Sequence, residues 1–276
     1  MKRFLPRFVA ILLLLGIFLP HTSQAGLVWR KGEGWTWESS GMPVGNTPQD
    51  QLDIGKQFFA KKDYGHAVAA YRRLLRRWPN SFAAEEARFG LAESLNGADY
   101  KFKAFKEYQN LIEKHPNSDR YEIALQRQFE IGERFMHGYR DKTFGIRLFP
   151  STDKAIDIFE QVVKNGPYSK LGPQAQMKIG QTYELRKEYV SAVHAYERLM
   201  EKYPSDPLAE VAQFQIGLAY RAEAKRAEYD QNSANQAVAS FTDYTVRYPQ
   251  GDKLKTAEEY QTALKVEQAQ IGRAHV

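Results

Sequence analysis

Apolar and polar positions between residues 51 and 265 alternate with the spacing of amphipathic helices, and prolines interrupt them at Pro79, Pro116, Pro167, Pro204 and Pro249. Twelve residues before each proline lies an alanine: Ala67, Ala104, Ala155, Ala192 and Ala237. Four residues after each alanine lies an aromatic: Tyr71, Tyr108, Phe159, Tyr196 and Phe241. The clearest copy, 179–204, adds Ile179-Gly180 and Tyr183 ahead of the alanine. The pattern predicts a two-helix unit repeated five times.

Each position has a physical reason. Alanine lets two antiparallel helices approach closely, and the aromatic one turn later lies on the same face and fills the gap to the next unit. Proline cannot continue the helix and restrains the residue before it, so it ends each unit at a fixed length. The preceding helix carries a matching signal: Gly55, Gly132, Gly180 and Gly217 each follow an isoleucine, and Leu91-Ala92 takes that place in the second unit. Glycine inside a helix costs about 1 kcal/mol relative to alanine, which close packing against the partner helix would offset. From small residue to alanine the gap is 12 in units one, two and four. It is 23 in unit three, around Arg140 to Pro150, and 20 in unit five. Both insertions are expected to lengthen the first helix and loop out before the second.

The ends of the chain read differently. Lys2, Arg3 and Arg7 precede an apolar run over 8–19, and Ser23-Gln24-Ala25 offers small residues for cleavage. Residues 1–25 therefore read as a signal peptide, with a retained membrane anchor as the alternative; a span needs about 20 apolar residues, and this run ends at Pro20. Residues 26–50 form an arm rich in tryptophan and glycine (Trp29, Trp35, Trp37) without helical period. The arm is expected to cover the open end of the first repeat, or to dock a partner through its tryptophans. The repeats occupy 51–270, the last part of which has a first helix only, so the natural chain is expected to continue. Residues 271–276 look like a reading frame of a sequencing adaptor and are expected to be a non-native tail.

Charge and composition narrow the function. Lys+Arg number 39 against 33 acids, with a pI near 9.2. Without the leader the basic count falls to 36, so half of the imbalance belongs to that segment. Cysteine is absent from these 276 residues, which excludes disulfides, thiolate metal sites and lipid attachment to cysteine within them. The six histidines show no metal-ligand spacing, and neither a nucleophile elbow, a phosphate-cradling glycine loop nor His-Glu-x-x-His occurs. No cofactor, small-molecule substrate, nucleic acid or catalysis is expected; stacked repeats build extended binding surfaces.

Two candidate protein-binding patches follow. Arg72, Arg73, Arg76 and Arg77 cluster on the second helix of unit one, where spacing places them on one broad face. That face is either simply solvated or a contact for acidic lipid head groups or an acidic partner. Phe59, Phe89, Glu93, Phe129 and Glu133 lie on first helices, where such repeats line a groove able to receive an extended peptide.

The offsets of small residue, aromatic, alanine, aromatic and proline resemble the tetratricopeptide repeat (TPR), which implies an all-α solenoid of about five helix-turn-helix units. Trp78-Pro79-Asn80-Ser81, His115-Pro116-Asn117-Ser118 and Tyr203-Pro204-Ser205-Asp206, behind an export signal, resemble the BamD family of outer-membrane assembly factors. The resemblance covers about residues 50–265. It implies an exported, non-enzymatic periplasmic scaffold that binds a β-barrel assembly subunit and outer-membrane protein substrates. Members of that family usually carry a lipid on a cysteine just after the leader; here Gln24-Ala25-Gly26 occupies the place, so association with the membrane would run through partners. The alternatives are a TPR coordinator of envelope constriction or peptidoglycan synthesis, and the binding domain of a longer envelope protein.

Overall fold

The computed structural model describes residues 25–30, 34–39, 42–140, 142–143, 146–147, 152–226 and 230–274, with side chains over 42–140, 152–226 and 230–270. The expected signal peptide lies outside the described residues, apart from Ala25. Eleven helices follow one another among the described residues: α1 (Pro48–Ala60), α2 (Tyr64–Arg77), α3 (Ala84–Gly97), α4 (Lys101–Lys114), α5 (Tyr121–Met136), α6 (Thr152–Asn165), α7 (Leu171–Leu185), α8 (Tyr189–Lys202), α9 (Pro207–Arg226), α10 (Gln231–Arg247) and α11 (Leu254–Ala274). Odd-numbered helices are the first members of their hairpins and even-numbered ones the second. The chain divides into two compact bodies, Met1–Ala87 and Arg88–Val276, with the division inside α3.

Close packing within a hairpin rests on glycine. A Cβ added at Gly55 would lie 2.5 Å from the Tyr71 ring, at Gly132 2.7 Å from Phe159, and at Gly217 2.6 Å from Phe241; Gly180 meets Tyr196 in the same way. The five anchor alanines are wholly buried, as are the rings at Tyr108, Phe159, Tyr196 and Phe241. The aromatic therefore fills a notch over the glycine of its own hairpin. Tyr196 also packs with Ala209, Ala212 and Ile216 of the following first helix, so one ring serves both contacts.

The prolines act as their chemistry dictates. Trp78, His115, Tyr203 and Tyr248, each just before a proline, leave helical geometry with ψ between 54° and 64° while their N–H groups still bond the carbonyl four residues back. At the turn inside a hairpin the chain enters the left-handed region: Lys62, Asp99 and Lys187 have φ of 58°, 65° and 60°, each five residues before its anchor alanine. These three side chains hold a conformation that normally favours glycine. Helix α1 opens with a capping box: Asp50 N–H donates to the Thr47 hydroxyl (3.1 Å), and Thr47 N–H donates to the Asp50 carboxylate (3.0 Å).

In the second body successive hairpins stack, α4 on α5, α6 on α7, α8 on α9 and α10 on α11, and the first helices α5, α7 and α9 also touch one another. The two insertions resolve differently. In the third hairpin the first helix is not lengthened, contrary to expectation: α5 ends four residues past Gly132, and the extra chain forms a short antiparallel ladder, β3 (Lys142–Thr143) against β4 (Ile146–Arg147). In the fifth, helix takes up the extra chain: α9 runs nine residues past Gly217, and α10 begins six before Ala237, where α8 begins three before Ala192. The tryptophan-rich arm contains an antiparallel hairpin, β1 (Ala25–Arg30) on β2 (Gly34–Ser39), pairing Trp29 with Trp35. What its side chains cover lies outside the described residues. Helix α11 runs four residues into the expected tail.

Candidate functional site

Residues three positions before the small residue of each first helix turn inward. Phe129 packs 5.5 Å from the Phe159 ring, Phe214 5.7 Å from Phe241 and Phe89 6.2 Å from Tyr108, in each case the aromatic of the same hairpin. Phe129 is only 6% exposed: most of its ring belongs to the core and only an edge reaches the surface. Phe59, in the first body, stands over Tyr64 of its own hairpin at 5.7 Å. Phe89 is half-buried and lies beneath the Arg120 guanidinium at 5.2 Å.

The residue just after the small position behaves differently: it ion-pairs with the next first helix. Lys56 meets Glu86 at 2.9 Å, Glu93 meets Arg127 at 3.0 Å, and Glu133 meets Lys178 at 3.3 Å. Glu93 also accepts a 2.5 Å hydrogen bond from the Tyr108 hydroxyl, and Arg127 reaches Glu130 at 3.0 Å. These carboxylates are thus engaged in joining neighbouring helices. The pairs are partly exposed, so each stabilises by about 0–1 kcal/mol and serves alignment more than stability. Arg127 and Lys178 were absent from the sequence-derived set; they become visible only when successive first helices are laid side by side.

One groove across the first helices of the second body, of about 340 Å³, is lined by Phe129 and Glu133 of α5, Gln174, Met177, Lys178 and Gln181 of α7, and Leu208 of α9. Its floor is apolar and its rims carry amides and one ion pair, a lining suited to an extended segment with alternating apolar and polar residues. Of the sequence-derived set, Phe129 and Glu133 meet here. Phe89 and Glu93 do not line it, and Phe59 belongs to the other body.

The four arginines of α2 do not share one face. Arg73 is 4% exposed and turns into the body, whereas Arg72, Arg76 and Arg77 are exposed. Helical geometry explains the correction: at 100° per residue, Arg73 lies about 60° from the buried Ala70, at the edge of the buried face, whereas Arg72 and Arg76 lie about 160° and 120° from it.

A buried glutamine four residues before each glycine also escaped notice. The amides of Gln51, Gln176 and Gln213 donate to the backbone carbonyls of Ala70, Ala195 and Ser240 on the second helix of the same hairpin, at 2.9–3.2 Å. Gln51 additionally accepts from Gly45 N–H at 3.0 Å. In the second hairpin Arg88 occupies the place and pairs with the Glu107 side chain at 3.3 Å. In the third, Gln128 joins the side chains of Gln109 and Asn165. The recurrence is legible in the sequence, but a polar residue is not what a core position advertises.

Burial shapes the titration of the repeat tyrosines. It pushes the Tyr71 hydroxyl up to about 12, with Glu86 adding to the effect. Tyr244 rises to about 12 through burial and its 2.6 Å bond to Glu210. Tyr108 and Tyr196 are raised as well, chiefly by burial and then by Glu93 and Glu184 respectively. Burial raises Glu184 above the usual carboxylate range. Among the described residues no group of three or more His, Cys, Asp or Glu could hold a metal ion, and no helix is long and apolar enough to cross a membrane.

Helical hairpins locked by a glycine–aromatic notch and ended by proline define a tetratricopeptide-repeat protein, and residues 51–81 and 86–118 match that family. Residues 150–271 match the YfiO family, described as an outer membrane lipoprotein, and the chain is similar to BamD proteins. It is 27% identical over 97 residues to the outer membrane protein assembly factor BamD of Caulobacter vibrioides, covering 35% of this chain and 32% of that one. It is 23% identical over 192 residues to BamD of Neisseria meningitidis serogroup B, covering 63% and 69%. The chain thus spans about a third of the Caulobacter relative in that match. Among solved structures, that of the MamA protein overlaps 75% of this chain and 98% of its own at 21% identity with a TM-score of 0.38. The fold assignment rests on the hairpins themselves.

Proposed function

We propose that this chain is a non-enzymatic periplasmic scaffold that takes part in assembling and inserting β-barrel proteins into the outer membrane. The observation that carries the reading is the match of 150–271, which runs from the second helix of hairpin three through hairpins four and five into α11, to the outer-membrane lipoprotein family. The open groove over α5, α7 and α9 lies largely within the same hairpins. On this reading a membrane-embedded barrel subunit and the terminal segments of substrate barrels are the partners. The chain is exported by residues 1–25 and sits peripherally on the outer membrane, held by partners because no cysteine is present in these residues to carry a lipid.

Affinity purification of the tagged chain from envelope extracts should recover a barrel assembly subunit. Glu substitutions at the partly exposed Gln181 and Leu208 should weaken capture of extended substrate segments while leaving helix content unchanged. Recovery of cell-wall or division proteins alone would overturn the assignment.

A further inference from the structure

The stretch 64–84 holds four arginines and His66 but no Asp or Glu. The other second helices mix their signs; the exposed positions of α8, for example, carry Glu197, Arg198, Glu201 and Lys202. At the end of α2, Arg72 and Arg76 stand one turn apart in solvent, and the Arg77 guanidinium lies 4.4 Å over the Trp78 ring while reaching the Gly45 carbonyl at 3.5 Å. Beyond the exposed Pro79 and Asn80, Phe82 projects from the turn with 79% of its surface exposed. That projection is built in: Ser81 donates to the Trp78 carbonyl through its N–H (3.2 Å) and its hydroxyl (2.9 Å), and Ala84 N–H donates to Ser81 O (2.9 Å). Of the nearest acids, Asp63 is occupied with His66 (2.7 Å), Glu86 with Lys56 (2.9 Å), and Glu85 is engaged as well.

We propose that this tip of the first body docks onto an anionic lipid bilayer, with Phe82 and the Trp78 edge in the interfacial layer and Arg72, Arg76 and Arg77 on lipid phosphates. Aromatic side chains favour the headgroup level, and basic residues add to binding on anionic membranes. An acidic protein surface would match the arginines but would need a pocket for Phe82, whereas a bilayer accepts ring and guanidinium together without a matched cavity. The contact is independent of the groove over α5, α7 and α9, and would keep the first body against the membrane whatever that groove holds.

The test is co-sedimentation of the full chain with vesicles of phosphatidylglycerol and phosphatidylcholine against phosphatidylcholine alone. The leader, with Lys2, Arg3 and Arg7 ahead of the apolar run 8–19, contributes equally in every variant, so each loss is read against the wild-type chain. The wild-type chain should prefer anionic vesicles in a salt-sensitive way, and Arg72→Glu with Arg76→Glu should reduce that preference at least roughly tenfold. Phe82→Asp should reduce it several-fold, with far-UV circular dichroism unchanged in each variant. Lys103→Glu with Lys106→Glu, the same charge change on α4, should leave most of it. Equal losses from both double variants would overturn the proposal, since net charge alone would then explain binding. So would the absence of any anionic preference, including the case in which the tip binds polyglutamate and ignores both vesicles.

Discussion

Gly132→Ala sets two effects of opposite sign against each other. In a helix interior the substitution gains about 1 kcal/mol from propensity. The new Cβ would stand 2.7 and 3.0 Å from two carbons of the Phe159 ring. That ring is wholly buried and closed on another side by Phe129 at 5.5 Å, so it has little room to slide. Overpacking of this kind costs about 1–3 kcal/mol. Given the boxed ring, the upper half of that range applies, and the net effect is a loss of about 1–2 kcal/mol. Urea unfolding followed by circular dichroism should show the midpoint shift. Combining Gly132→Ala with Phe159→Leu should cost less than the sum of the two single changes by about 1 kcal/mol, because the smaller side chain vacates the notch. Ala92, which holds the equivalent position in the second hairpin, provides the control: Ala92→Gly should lose about 1 kcal/mol from propensity and about 0.8 kcal/mol more from its buried methyl. A stabilising Gly132→Ala would show that the glycine is not there to seat the ring.

Two further outcomes follow from the buried polar groups. Gln51→Met removes the donor to Ala70 O and strands Gly45 N–H, and should cost about 2–3 kcal/mol. Gln176→Met deprives only a carbonyl that keeps its helical bond, and should cost about 1 kcal/mol or less; equal losses in urea unfolding would refute the distinction. Tyr71 and Tyr244 hold their protons to about 12 in the fold against 10.0 when unfolded. Because the folded state binds these protons more tightly, their contribution is fully present below pH 10 and is lost as pH rises towards 12. Tyrosinate absorbance from the repeat tyrosines should therefore rise together with loss of helix, and Tyr71→Phe with Tyr244→Phe should move both to higher pH. Ionisation of these tyrosines well ahead of helix loss would contradict their burial.

The hairpins were legible because three of their anchors (alanine, aromatic and proline) repeat at fixed distances that backbone geometry imposes. Ala67, Tyr71 and Pro79 do in the first copy what Ala237, Phe241 and Pro249 do in the fifth. The left-handed turns were not legible, since Lys62, Asp99 and Lys187 occupy a conformation that glycine would have announced. Nor could the sequence separate the two insertions: eleven residues folded back as β3–β4, whereas eight extended α9 and α10. Of the candidate binding residues, the arginine cluster was visible in the composition, but its split by burial depends on helical phase at Arg73. Glu93 and Glu133 were expected as groove charges, and only Glu133 lines the groove; their engagement with Arg127 and Lys178 depends on how neighbouring hairpins align, which spacing along one helix does not encode.

The glutamines that bridge the two helices of a hairpin imply something about interchangeability. Where Gln51, Gln176 and Gln213 grip a backbone carbonyl, the contact is indifferent to the side chain there, alanine in two cases and serine in the third. Such hairpins can drift in sequence, or trade second helices, without losing that fastening. Hairpins two and three use side-chain partners instead, Arg88 with Glu107 and Gln128 with Gln109 and Asn165. A helix moved into either place would have to bring its own matching residue, so these two are keyed to their positions while the others are generic.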